Sequence, residues 1–66
     1  MPFINVKSTA PLPEKELQDK IAREITEVFV RNLNKAQERV VIVFEEIPNG
    51  DFYFGGKSVE DIKKGV

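Results

Sequence analysis

Cysteine and histidine are both absent from this 66-residue chain. The first absence excludes disulfides, and the two together remove the usual ligands of a structural zinc site. They also remove any Ser-His-Asp or Cys-His arrangement for nucleophilic catalysis. No spacing of carboxylates suggests a metal site, so none is expected. Gly55-Gly56-Lys57-Ser58 lacks the earlier glycine and the spacing of a phosphate-binding loop. No apolar run approaches the roughly 20 residues that span a bilayer. No basic segment followed by a long apolar core marks a signal peptide. The chain is therefore expected in the cytoplasm, with no membrane contact. An excess of one charge is lacking as well. Ten basic residues stand against eleven acidic ones, for a net charge of −1. The basic residues are scattered, so nucleic acid is not an expected partner.

What is present is an ordinary soluble balance, 41% hydrophobic and 32% charged. Residues 1–66 are expected to form a single domain. A domain this small buries only about 60% of its unfolded surface and is marginal alone. With disulfides excluded and no metal site expected, association with further copies is the remaining source of burial.

Phe3-Ile4-Asn5-Val6-Lys7 reads as a short strand. Ser8 to Pro13 is punctuation, with Pro13 suited to the first turn of a helix. From Pro13 to about Leu33 the pattern is helical: Leu17, Ile21, Ile25, Val28 and Phe29 recur at spacings of three and four. Val40-Val41-Ile42-Val43-Phe44 is a continuous β-branched run, which suits a strand buried on both faces in a parallel pair. Strand, helix and strand make one βαβ unit. Pro48-Asn49-Gly50-Asp51 is a turn cluster. Phe52-Tyr53-Phe54 is expected to be extended and to end in the Gly55-Gly56 reversal. Ser58 is expected to cap a last short helix, with Asp61 three residues on. One helix covers only one face of such a sheet and leaves strand edges unpaired. A compact homo-oligomer is expected.

Chemistry concentrates at Pro2. Met before Pro is generally trimmed, which would leave a secondary amine at the chain end. An α-amino group titrates near about 7.7–8, and apolar surroundings disfavour its charged form. Such an amine can be neutral at pH 7 and act as a general base. On its own, Met1-Pro2 says no more than that Met1 is removable. The paired carboxylates Glu45-Glu46 read as a solvated strand end, since neighbours in a strand point to opposite faces.

Met1-Pro2, the immediate strand, the single helix, the valine-rich strand and Gly50-Asp51-Phe52-Tyr53-Phe54-Gly55-Gly56 together resemble the 4-oxalocrotonate tautomerase family. The Pro2-Phe3-Ile4-Asn5 opening resembles its DmpI-type members. The resemblance covers nearly the whole chain. It implies an α+β fold, a βαβ unit with a C-terminal hairpin, assembled as a homohexamer built of dimers. It implies a cofactor-free isomerase in which Pro2 moves a proton between carbon and oxygen of an enol or conjugated keto acid. Phe52 falls on the family's pocket aromatic and would form an apolar wall; an interface aromatic is the other reading. Phe54 and Phe3 would line the same pocket or pack in the core. Two departures stand out. No arginine precedes Arg23, where the family has one about ten residues after the proline. The family's second arginine falls on Val41. Arg39, two residues earlier, would reach the pocket from its rim if it shares that strand face; a solvated arginine at the strand start is the other reading. Without these arginines a monocarboxylate or a less charged ketone–enol pair suits the site better than a dicarboxylate. The alternative function is a non-catalytic oligomeric scaffold that has kept the fold and lost the substrate site.

Overall fold

The computed structural model describes residues 1–65. Strand β1, Phe3–Thr9, leads through a proline-containing connection to helix α1, Lys15–Leu33, and a 3-10 turn at Gln37–Arg39 precedes strand β2, Val41–Ile47. A second 3-10 turn, Asn49–Asp51, joins β2 to a hairpin of β3, Tyr53–Phe54, and β4, Lys57–Ser58. Helix α2, Val59–Lys64, follows directly. The order and types match the α+β reading of a βαβ unit with a C-terminal hairpin.

Helix α1 begins two residues later than the position of Pro13 suggests. Glu14 is the N-cap and is still extended, at φ −62° and ψ 161°. The first helical bond runs from the Gln18 N–H to the Glu14 carbonyl at 2.9 Å. Glu16 in the first turn and Arg31 in the last complement the helix dipole. Asn34 ends the helix in the left-handed region, at φ 54°, a conformation asparagine tolerates better than most residues.

Strands β1 and β2 pair in parallel, Phe3 opposite Val41 through Thr9 opposite Ile47. Opposed residues share a face, so Ile4 and Val6 lie with Ile42 and Phe44. These four are half-buried, and α1, which packs on β2, covers their side. The outer face carries Phe3, Asn5 and Lys7 beside Val41, Val43 and Glu45. Phe3 is 64% exposed there and Val43 36%. The valine run expected to be buried on both faces is therefore covered on one face only within a single chain.

Strand β2 also runs three residues past Phe44. Glu45 accepts from the Asn5 amide at 3.4 Å and pairs with Lys7 at 3.3 Å. Glu46 accepts from the Leu12 backbone N–H at 3.3 Å. The two carboxylates thus work on different sides of the strand, as its pleat requires. The Ala10 N–H closes the ladder on the Ile47 carbonyl at 3.0 Å.

The C-terminal arm is held by its own local bonds. Gly55 and Gly56 both have positive φ, 57° and 84°, as a two-residue hairpin turn of the I′ kind needs. The Val59 N–H reaches the Phe52 carbonyl at 2.7 Å. The Ser58 hydroxyl caps α2 by accepting from the Asp61 N–H at 3.1 Å. Among the described residues the buried ones are Ser58 and Val59, each at 8% exposure, and both belong to this arm rather than to the helix–sheet layer. The chain is long and thin, 47 by 25 by 14 Å. Its radius of gyration is 15.2 Å, against about 11 Å for a compact domain of this length. The accessible surface is 5047 Å², roughly 800 Å² more than a compact protein of this size shows.

Candidate active site

Pro2 sits immediately before β1 and is half-buried. Its carbonyl accepts the Val41 N–H at 2.9 Å, extending the parallel ladder one residue beyond Phe3. The backbone therefore fixes the position of the pyrrolidine ring. Met1 projects beyond it at 79% exposure.

Arg39 lies at the same end of the sheet, two residues before Val41, and is exposed. It is the last residue of the 3-10 turn and not part of β2. The Arg39 N–H bonds the Ala36 carbonyl at 3.0 Å and the Val40 N–H the Gln37 carbonyl at 3.2 Å. The expected shared strand face with Val41 does not apply, because turn geometry directs this arginine.

Phe52 and Phe54 come together at the other end of the molecule. Phe52 is extended, at φ −116° and ψ 121°, so it continues the line of β3 and shares a face with Phe54. Their ring centroids are 5.6 Å apart with planes tilted by 33°. Phe52 is half-buried and Phe54 is 63% exposed. Pro2 joins the sheet at the Val41 end, while Phe52 follows the Ile47 end. Seven residues of strand separate those ends, roughly 20 Å at the usual rise. The arm packs chiefly on itself, α2 against β4 and the second 3-10 turn. A single chain thus puts Arg39 at the Pro2 end of the sheet and Phe52 against Phe54, but it does not bring the two pairs together. Phe3 points to the outer sheet face and is exposed rather than part of a core.

One concave feature was not anticipated from the sequence. Ala22, Thr26 and Val30, at four-residue spacing on α1, line a shallow groove of about 270 Å³ with Arg23, Glu27 and Gln37. The four-residue spacing is the signal that marks it in the sequence. None of the expected site residues borders it. Among the described residues, no group of three or more acidic side chains gathers to hold a metal ion, and no helix is long and apolar enough to cross a membrane.

A proline at the ladder's end, one helix crossing between parallel strands and an aromatic Gly-Gly hairpin make one recognisable combination. The Tautomerase family model, described as tautomerase enzyme, matches residues 2–62. The chain belongs to the tautomerase family. A probable tautomerase of Campylobacter jejuni is 44% identical over 63 residues, covering 96% of this chain and 93% of the relative. A probable tautomerase of Helicobacter pylori is 27% identical over 66 residues, covering 97% of each. Among solved structures, DmpI from Helicobacter pylori superposes with a TM-score of 0.85 at 26% identity, covering 96% of this chain and 97% of that one. The 4-oxalocrotonate tautomerase isozymes from Methylibium petroleiphilum give 0.90 at 22% identity, covering 98% and 100%, a likeness of fold. Membership in the tautomerase family supports an isomerase activity of the tautomerase type.

Proposed function

We propose that this tautomerase-family chain catalyses keto–enol proton transfer on an enol or conjugated keto acid, with Pro2 as general base after removal of Met1. The observation that carries the proposal is the placement of Pro2. Its ring nitrogen stands at the end of the parallel ladder, fixed through the Pro2 carbonyl by the Val41 N–H. In the forward step the neutral nitrogen takes the proton of the enol hydroxyl. The resulting ammonium returns a proton to the substrate carbon, and the nitrogen is regenerated. Phe52 and Phe54 supply an apolar wall, which shapes the pocket and disfavours the charged amine. Arg39 sits on the Pro2 side and polarises the substrate oxygen.

Because Pro2 and the aromatic wall lie at opposite ends of β2, we propose that each site is completed by the arm of a second copy. The exposed Phe3, Val43, Tyr53 and Phe54 favour such an assembly. So does the excess surface, which is close to the roughly 800 Å² that each partner contributes to a standard interface. A homohexamer built of dimers is the proposed arrangement. A heterohexamer 4-oxalocrotonate tautomerase from Chloroflexus aurantiacus shares the fold, at a TM-score of 0.83 and 16% identity over 94% of this chain and 98% of that one.

Intact mass spectrometry tests the removal of Met1, without which the Pro2 nitrogen is an amide and not a base. With the processed protein, Pro2→Ala should lower the rate of phenylpyruvate or 2-hydroxymuconate tautomerisation by about 10²–10⁴-fold. Equal rates for the two proteins would sink the proposal. Co-refolding Pro2→Ala with Phe52→Ala should restore part of the activity that each lacks, since mixed assemblies contain sites with both residues intact. No recovery would place both residues in one chain's site. The non-catalytic scaffold is the second reading, favoured by Val41 and by the lack of any arginine before Arg23. It predicts background rates for every variant.

A further inference from the structure

The hairpin presents more than an apolar wall. Phe54 and Lys57 are directly opposed across β3 and β4, so their side chains leave the same face with Cβ atoms about 4.5–5.5 Å apart. Phe52 shares that face through its ring contact with Phe54. Tyr53 and Ser58, the other opposed pair, leave the opposite face, where Ser58 is committed to capping α2. One face of the hairpin therefore carries two aromatic rings and one ammonium. That ammonium is available. Lys7, Lys15 and Lys64 are engaged by Glu45, Asp19 and Glu60, whereas Lys57 is exposed and has no ion pair among the described residues. Its position is also well defined, because Gly55 and Gly56 fix the turn and the Val59 N–H ties the base of the hairpin to Phe52.

We propose that Lys57 is a specificity residue that binds the carboxylate of a monoanionic enol acid with an apolar tail. This inference rests on the tautomerase reading above, in which Phe52 and Phe54 wall the site. Where those rings go, the Lys57 ammonium goes with them. The tail packs on the rings and the carboxylate meets the ammonium beside them. Arg39, on the Pro2 side, is left to the reacting oxygen. A single cation next to an apolar wall discriminates against a second carboxylate, because that group would be desolvated against the rings without a partner. A charge-assisted bond from a lysine to a carboxylate is strong enough to set such a preference.

The test compares phenylpyruvate with its methyl ester, which keeps the reacting atoms and removes the charge. Lys57→Met should lower the acid-to-ester ratio of kcat/KM about tenfold, chiefly through KM of the acid, and Lys57→Arg should restore most of it. Calorimetric binding of 3-phenylpropionate, a monoanion that does not react, separates this inference from the catalytic one. Lys57→Met should weaken that binding about tenfold, in native Pro2 protein and in Pro2→Ala alike. If the native protein turns over neither compound but binds 3-phenylpropionate through Lys57, the catalytic reading fails and the anion site stands. If Pro2→Ala abolishes turnover while Lys57→Met changes neither the ratio nor the binding, the anion site fails and the catalytic reading stands. A Lys57→Met protein that instead shifts to smaller assemblies, with the ratio intact, overturns the assignment in favour of an ion pair between copies.

Discussion

The βαβ layer and the C-terminal arm solve the problem of small size in opposite ways. The layer is the larger part, yet its helix covers only the Ile4, Val6, Ile42 and Phe44 side of two strands. Its residues stay half-buried, and Phe3 and Val43 face outward. The arm is short and closed locally. It holds the buried Ser58 and Val59, a capped helix and a glycine-pair turn, while Phe54 and Tyr53 stand outside. The layer is thus limited by what covers it, and the arm by what it can reach. Each has an apolar surface that the other, within one chain, does not meet. In the proposed assembly a second copy would satisfy both at once, and the proposed site falls where the two surfaces would join.

Breaking the open side of the layer should have the largest effect. Val43→Lys places a charge on the outer sheet face, where a single chain tolerates it and an interface does not. Sedimentation should then show a species near the single-chain mass of 7.5 kDa, with tautomerase activity at background. Retention of the full assembly would mean that this face is free. Strain in the arm comes next. At Gly56 an added Cβ meets nothing within 4 Å, so Gly56→Ala costs backbone energy alone, about 1–2 kcal/mol at φ 84°. Hydrogen exchange should accelerate at Lys57 and Val59 and stay unchanged in β1 and β2. Removing the cap with Ser58→Ala should cost about 1 kcal/mol of stability, read as a lower denaturation midpoint. The smallest change is Lys7→Met. Its pair with Glu45 is more than half exposed on the lysine side, and such pairs contribute about 0.2–1 kcal/mol. A thermal midpoint that hardly moves would confirm that the layer does not depend on this contact.

Much of the layer was legible in the sequence because periodicity is a collective signal. Five apolar residues at helical spacing outweigh any single ambiguous position, and α1 ends at Leu33 as that stripe indicates. The two 3-10 turns were not legible, since three residues such as Gln37-Glu38-Arg39 carry no period. The extension of β2 through Glu45 and Glu46 was hidden for a related reason. A charged pair reads as the end of a strand, and only the opposed Lys7 and Ser8 keep it in the ladder. For the proposed site, position singles out Pro2, and the family resemblance before the Gly-Gly hairpin singles out Phe52. Their separation was not, because distance along β2 becomes a distance between site residues only once the parallel register places Pro2 at one end. The opposition of Phe54 and Lys57 was within reach of the sequence, since a two-residue Gly-Gly loop dictates it.

Most general bases are carried on a side chain with torsions of its own. In the proposed mechanism the base at Pro2 has none. Its nitrogen is part of the main chain, and the adjacent carbonyl is tied to Val41. Binding substrate then freezes no rotamer of the base, and no mutation of that residue can lengthen or redirect its reach. Changes of substrate must come instead from the groups brought to it, from the turn that carries Arg39 and from the hairpin that carries Phe52, Phe54 and Lys57. In the proposed site the fixed point and the variable parts lie on separate segments, so one could be altered without disturbing the other.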